Sequence, residues 1–145
     1  MTAYNPTNVR AELKALLQTQ TTVVASANVH DFYNPNINGY PAIIFDISQE
    51  DASMLDDANN LRVMTFTLYI ITEIKVAGLS EAKDILDVAV RTIINTLELK
   101  SNATLNGSVD WVMPVMGRRS EISSPEGSLL SQEMVVRCNI ASTIL

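Results

Sequence analysis

Among 145 residues there is one cysteine, one histidine and one tryptophan, with only five glycines. Each scarcity removes a class of function. A lone Cys138 cannot form an internal disulfide, so a reducing compartment or an assembly built inside a cell is expected. No Cys-x-x-Cys pair or Cys/His cluster is present to hold zinc, and no cofactor is expected. His30 has no nucleophile placed to serve it, and its neighbour Asp31 points to the opposite face if both lie on a strand. Phosphate-binding glycine loops, nucleophile elbows and His-Glu-x-x-His pairs are absent. The composition therefore points away from catalysis.

Charge is also scarce, and what there is leans acidic. Charged residues make up 18% of the chain, below the ~25% usual for soluble domains. Ten Lys and Arg stand against sixteen Asp and Glu, a net charge of −6, and the pI is about 4.6. The longest basic run is Arg118-Arg119. Salt-sensitive gripping of nucleic acid needs a basic patch, so it is not expected. No apolar run approaches the ~18 residues of a membrane span, and the first thirteen residues show no apolar signal core. No membrane partner is expected.

What is present is enough apolar material for one core. Residues of the AVILMFWYC set reach 47%, and the length suits a single domain, 1–145. A first helix is expected after Asn5 as cap and Pro6 at its first position, with Val9, Leu13, Leu16 and Leu17 along one face. Val23 to Ala27 reads as a short strand that His30 could continue, and Pro41 to Ser48 as a second strand with Ile43, Phe45 and Ile47 on one face. Gln49 to Asn60 reads as a polar loop carrying Glu50, Asp51, Asp56 and Asp57. These acids lack the alternation, turn glycine and closing glutamate of a calcium loop. Leu61 to Ile74 is the strongest strand, Met64, Phe66, Leu68 and Ile70 pointing one way and Val63, Thr65, Thr67, Tyr69 and Ile71 the other. Ser80 is placed to cap a second helix running to Leu99, its stripe formed by Ala82, Ile85, Leu86, Ala89, Ile93 and Leu97. Val109 to Met116 is a strand that Pro114 confines to an edge or a bulge. A turn at Ser123–Gly127 leads to a last strand, Leu129 to Ser142. Its inward set is Leu130, Met134, Val136, Cys138 and Ile140, and its outward set includes Ser131, Glu133, Arg137 and Asn139.

The fold class these elements imply is α+β: two helices packed on one face of a largely antiparallel four- to five-stranded sheet, in the order α-β-β-β-α-β-β. Two helices cover one side of such a sheet and leave the other. Yet Val63, Tyr69 and Ile71 lie on that second side. Either other copies cover it or the N-terminal strands and loops fold across it. Arg118 and Arg119 could dock a partner carboxylate or form a loose surface pair. Trp111 reads as a core or edge-strand anchor before it reads as a ligand platform.

Several stretches, taken in this order, resemble the tail terminator proteins of long-tailed bacteriophages, a tail-completion and neck family. They are the N-terminal amphipathic helix, Gly39-Tyr40-Pro41-Ala42-Ile43-Ile44-Phe45, the acidic loop, Asn60 to Tyr69, the Ser80–Leu99 helix, and a closing hairpin ending in Glu133-Met134-Val135-Val136-Arg137. The likeness is one of pattern over nearly the whole chain. It implies a virion protein of the head–tail neck, assembled in the host cytoplasm, whose copies (six, in that family) form a ring. The ring would cap the tail tube protein, end tube elongation and join a head connector, while double-stranded DNA passes through without specific binding. An acidic conduit releases DNA that a basic one would hold. On this reading Val63, Tyr69, Ile71, Trp111, Arg118 and Arg119 serve a subunit or partner interface, and Glu50, Asp51, Asp56 and Asp57 face the lumen or a ring face. A head-completion or stopper ring, and a small cytoplasmic ligand-binding module, are the competing expectations.

Overall fold

The computed structural model describes residues 4–33, 35–54, 59–75, 78–124 and 127–143. The chain runs α1 (Pro6–Gln18), β1 (Val29–His30), β2 (Ala42–Met54), β3 (Asn59–Ile74), α2 (Leu79–Glu98), β4 (Trp111–Ser124) and β5 (Gly127–Thr143). The five strands form one sheet in the order β1-β2-β3-β5-β4, antiparallel except where β1 meets β2. Both helices lie on one face, as the apolar periodicities require.

Helix α1 starts as its sequence dictates. The Asn5 side chain accepts from the Asn8 N–H at 3.1 Å, with Pro6 at the first position. Val9, Leu13 and Leu17 are buried, while Leu16 is half-buried. Helix α2 begins one residue before the expected cap. Its N-cap is Gly78, at φ +95°, in backbone space that favours glycine, and Ser80 already lies inside the helix. Its buried stripe contains Val90 and leaves Ile85 36% exposed, because the sheet meets the helix slightly off the axis that the sequence periodicity suggested.

Beneath the helices lies the core. Ile43 and Phe45 of β2, Met64, Phe66, Leu68 and Ile70 of β3, and Met134, Val136, Cys138 and Ile140 of β5 are all fully buried. The ladder pairs Phe45 with Leu68 and Phe66 with Val136, and paired residues share a face. Phe45 and Phe66 meet edge-to-face, ring centroids 6.0 Å apart.

Three segments differ from their sequence reading. Val23 to Ala27 is not a strand: the Val23 and Val24 N–H groups both bond the Gln20 carbonyl in a turn, which inserts Val24 into the core. Gln49 to Met54 is not loop but the second half of β2, paired out to Met54 opposite Asn60. Its polarity concealed it, since β3 extends far enough to pair its backbone groups and no apolar face is required. Asp56 and Asp57 lie outside the described residues. Finally, β4 begins at Trp111 rather than Val109 and runs eight residues past Met116, while Val109 is buried in the preceding turn.

A bulge between Met116 and Arg119 bends β4, and a buried side chain holds it. Gln132, 3% exposed on the helix side of β5, donates to the Gly117 carbonyl (3.1 Å) and the Glu133 carbonyl (2.9 Å). Its Oε1 accepts from Arg119 Nε at 3.0 Å, and Arg119 Nη2 reaches Asp87 of α2 at 2.6 Å. Gly117 is required by space: a Cβ there would stand 2.9 Å from the Glu133 side chain.

Candidate assembly interface

The face of the sheet turned away from the helices is built in cross-strand rows. One row places Asp51, Val63, Asn139 and Trp111 side by side, and the next Gln49, Thr65, Arg137 and Met113. Thr67, Val135 and Val115 follow. Trp111, Met113 and Val115 are 45%, 46% and 41% exposed, three large apolar side chains in succession on an edge strand. Together they leave on the order of 250 Å² of apolar surface wet, about 6 kcal/mol gross at ~25 cal/mol/Å². Ser48, Gln49, Asp51, Val63, Thr65, Thr67, Val135 and Arg137 line a trough of about 550 Å³ along the same face.

The other end of this face is partly covered by the chain itself, which leaves a hollow of about 390 Å³ lined by Tyr33, Ile44, Tyr69, Ile71 and Ile122. The Tyr33 hydroxyl donates towards the Asp46 and Thr67 carbonyls (3.4 and 3.3 Å), and its ring meets Tyr69 edge-on at 6.1 Å. Burial, the largest influence, raises the Tyr33 pKa above its usual value. Ile71 is only 7% exposed and forms part of the floor of that hollow, while Tyr69 is half-buried beside Tyr33. Internal cover and open surface are thus both present on one face of the sheet.

The remaining residues singled out in the sequence separate. Val63 is half-buried in the open trough and Trp111 stands at its rim. Arg118 is exposed in the bulge, with no ion-pair partner among the described residues. Arg119 points to the helix side, where Asp87 and Gln132 hold it, so the two arginines do not act as a pair. Glu50 faces the helix side of β2 because the irregularity after Ile47 shifts the register. There it accepts from the Tyr4 hydroxyl and lies 3.7 Å from Arg62, whose guanidinium stacks 4.5 Å from the Tyr4 ring centre. The Glu50 hydrogen bond is the main cause of a raised Tyr4 pKa. Asp51 faces the trough and accepts from Gln49 at 2.9 Å.

Sequence reasoning placed Ser131 and Asn139 outward, and outward they point, but both are buried, at 5% and 6% exposure. Asn139 lies between Val63 and Trp111, and its Nδ2 has no hydrogen-bond partner among the described residues. Small polar side chains flanked by larger ones on adjacent strands disappear beneath them, which alternation along one strand cannot reveal. His30 ends β1, packs edge-on to Phe32 at 6.3 Å, and leaves Nε2 buried without a partner among the described residues.

Burial pushes the Cys138 thiol up to about 12. Folded protein at pH 8 is therefore expected to react with a thiol reagent at least 100-fold more slowly than unfolded protein, read as labelling rate with and without denaturant. No group of three or more His, Cys, Asp or Glu able to hold a metal occurs among the described residues, and no helix among them is long and apolar enough to cross a membrane.

The fold has a counterpart. It is found in a virion. A chain from a structure described as the virion of a native gene transfer agent particle matches at a TM-score of 0.50, over 92% of this chain and 98% of that one, with 16% sequence identity. No protein-family model matches the sequence, and no curated protein matches it. The likeness to the gene-transfer-agent chain is one of fold.

Proposed function

We propose that this protein is a structural subunit of a phage-like virion, a neck ring that caps the tail tube, ends its elongation and joins it to the head connector. The observation that carries the reading is the open end of the sheet: Trp111, Met113 and Val115 lie exposed in a row on a face that the chain's own helices cannot reach. A monomer gains nothing from that row, whereas a contact between copies buries it. The fold shared with a chain of a phage-like particle supports a virion setting, and the resemblance of the sequence pattern to tail terminators supports the neck. An acidic chain suits a conduit for DNA that must pass without sticking. The mechanism is mechanical: the ring docks on the last ring of the tube and presents a different outer surface, so no further tube subunit can add.

The test is imaging. Purified protein mixed with isolated tail tubes is expected to appear as a ring at one tube end in negative stain, and to arrest tube growth at substoichiometric amounts. Protein that stays monomeric in native mass spectrometry and leaves tube ends bare and growing would overturn the proposal. Binding to isolated head connectors but not to tube ends would move the protein to a stopper ring of the same neck.

A further inference from the structure

The open sheet face and the outer face of α2 carry matching patterns on opposite sides of the molecule. On α2, Asp84, Val88 and Arg91 follow at i, i+4 and i+7, all exposed, with Ile85 on the flank. Asp84 and Arg91 have no ion-pair partner among the described residues. Seven residues at ~1.5 Å rise set the acid and the base about 10 Å apart, with an apolar residue between them. In the trough, Asp51 and Arg137 are two strands and one register step apart, about 12 Å, with Val63 beside Asp51 and next to the row of Arg137. Neither of these has an ion-pair partner among the described residues. One surface is a helix face reading acid, apolar, base, on which Asp84, Ile85 and Val88 form one wall of a hollow of about 440 Å³ shared with Thr22, Val23 and Pro41. The other is a groove reading the same at nearly the same spacing.

The β4 edge suits a strand ladder less well. Pro114 removes an N–H from the middle of β4, and the bulge before Arg119 breaks the edge again. These are devices by which edge strands resist continuous pairing.

We infer that, within the ring, α2 of one copy lies in the sheet trough of the next, Asp84 meeting Arg137 and Arg91 meeting Asp51. Val88 then covers Val63, and Ile85 meets the Trp111–Met113 rim. The two surfaces lie on opposite sides of the sheet, so the contact is heterologous. Each copy uses its helix on one neighbour and its sheet on the other, a head-to-tail arrangement that closes into a ring when the rotation between copies closes and runs on as a filament when it does not. The inference rests on the ring reading above and names the surfaces that make the ring.

Charge exchange tests it. Arg137→Glu alone and Asp84→Arg alone each place like charges together and are expected to raise the concentration for half-assembly at least tenfold. The double variant, carried on one chain, is expected to return within threefold of the parent. Both sites are exposed, so unchanged melting temperatures verify folding. As a second readout, an Ile85→Cys chain mixed with a Met113→Cys chain is expected to give a disulfide-linked pair that neither chain gives alone. Single variants that assemble like the parent, or a double variant as defective as the singles with no mixed disulfide, overturn the inference and leave the ring reading standing. A parent that never assembles, alone or on tube ends, overturns both.

Discussion

Replacing Trp111 with Asp is expected to weaken assembly about 100-fold while moving the melting temperature of the monomer by less than about 3 °C. The asymmetry follows from position. Trp111 is the first residue of β4, paired only with Asn139 on β5 and nearly half exposed. Little of the monomer rests on it, and a surface substitution near a strand end costs a fraction of a kcal/mol. In a contact between copies it is the largest apolar side chain on the open face. Tryptophan anchors at interface centres are worth 2 kcal/mol or more when truncated, and a carboxylate adds the cost of burying an unpaired charge. Sedimentation over a concentration series, beside a thermal melt, reads both quantities. A melt that falls by 10 °C would make Trp111 a core residue; unchanged assembly would remove the open face from the interface.

The opposite outcome is expected for Phe66→Ala. Phe66 is fully buried at the middle of β3, edge-on to Phe45 and beneath both helices. Removing a buried phenylalanine costs about 3–5 kcal/mol through lost transfer energy and the cavity left behind. Against a total stability of about 5–15 kcal/mol this is a large share, and the expected fall in melting temperature is roughly 10 °C or more. Denaturant titration and a thermal melt check it. Assembly should fail in proportion to the unfolded fraction and recover at lower temperature, which the Trp111 variant should not do. A neutral Phe66→Ala would mean that the core lies elsewhere than between β3 and the helices.

The two variants mark the limits of what the sequence could say. Met64, Phe66, Leu68 and Ile70 alternate with less apolar neighbours, so the buried face of β3 was legible directly, as was the α2 stripe apart from Ile85 and Val90. Edge placement of β4 was legible from Pro114, whose missing N–H a central strand cannot tolerate. The second half of β2 was not legible. Gln49 to Met54 carries two acids and reads as loop, and only the reach of β3 turns it into a strand. Arg118 and Arg119 look like a pair in sequence, but a bulge sends Arg119 to Asp87 and leaves Arg118 in solvent. Val63, Tyr69 and Ile71 share one face of a strand, yet Tyr33, thirty residues or more away, packs on Tyr69 and covers part of one end.

By itself the sequence determined the two amphipathic helices, the hydrophobic centre of the sheet, the acidic balance and the absence of recognisable catalytic apparatus, because periodicity and composition are properties of neighbouring residues. Which part of the second face stays exposed, which carboxylates remain free, and how the trough is shaped were decided only in the folded chain. Those features depend on cross-strand register and on loops laid over distant strands, and no stretch of sequence contains both partners.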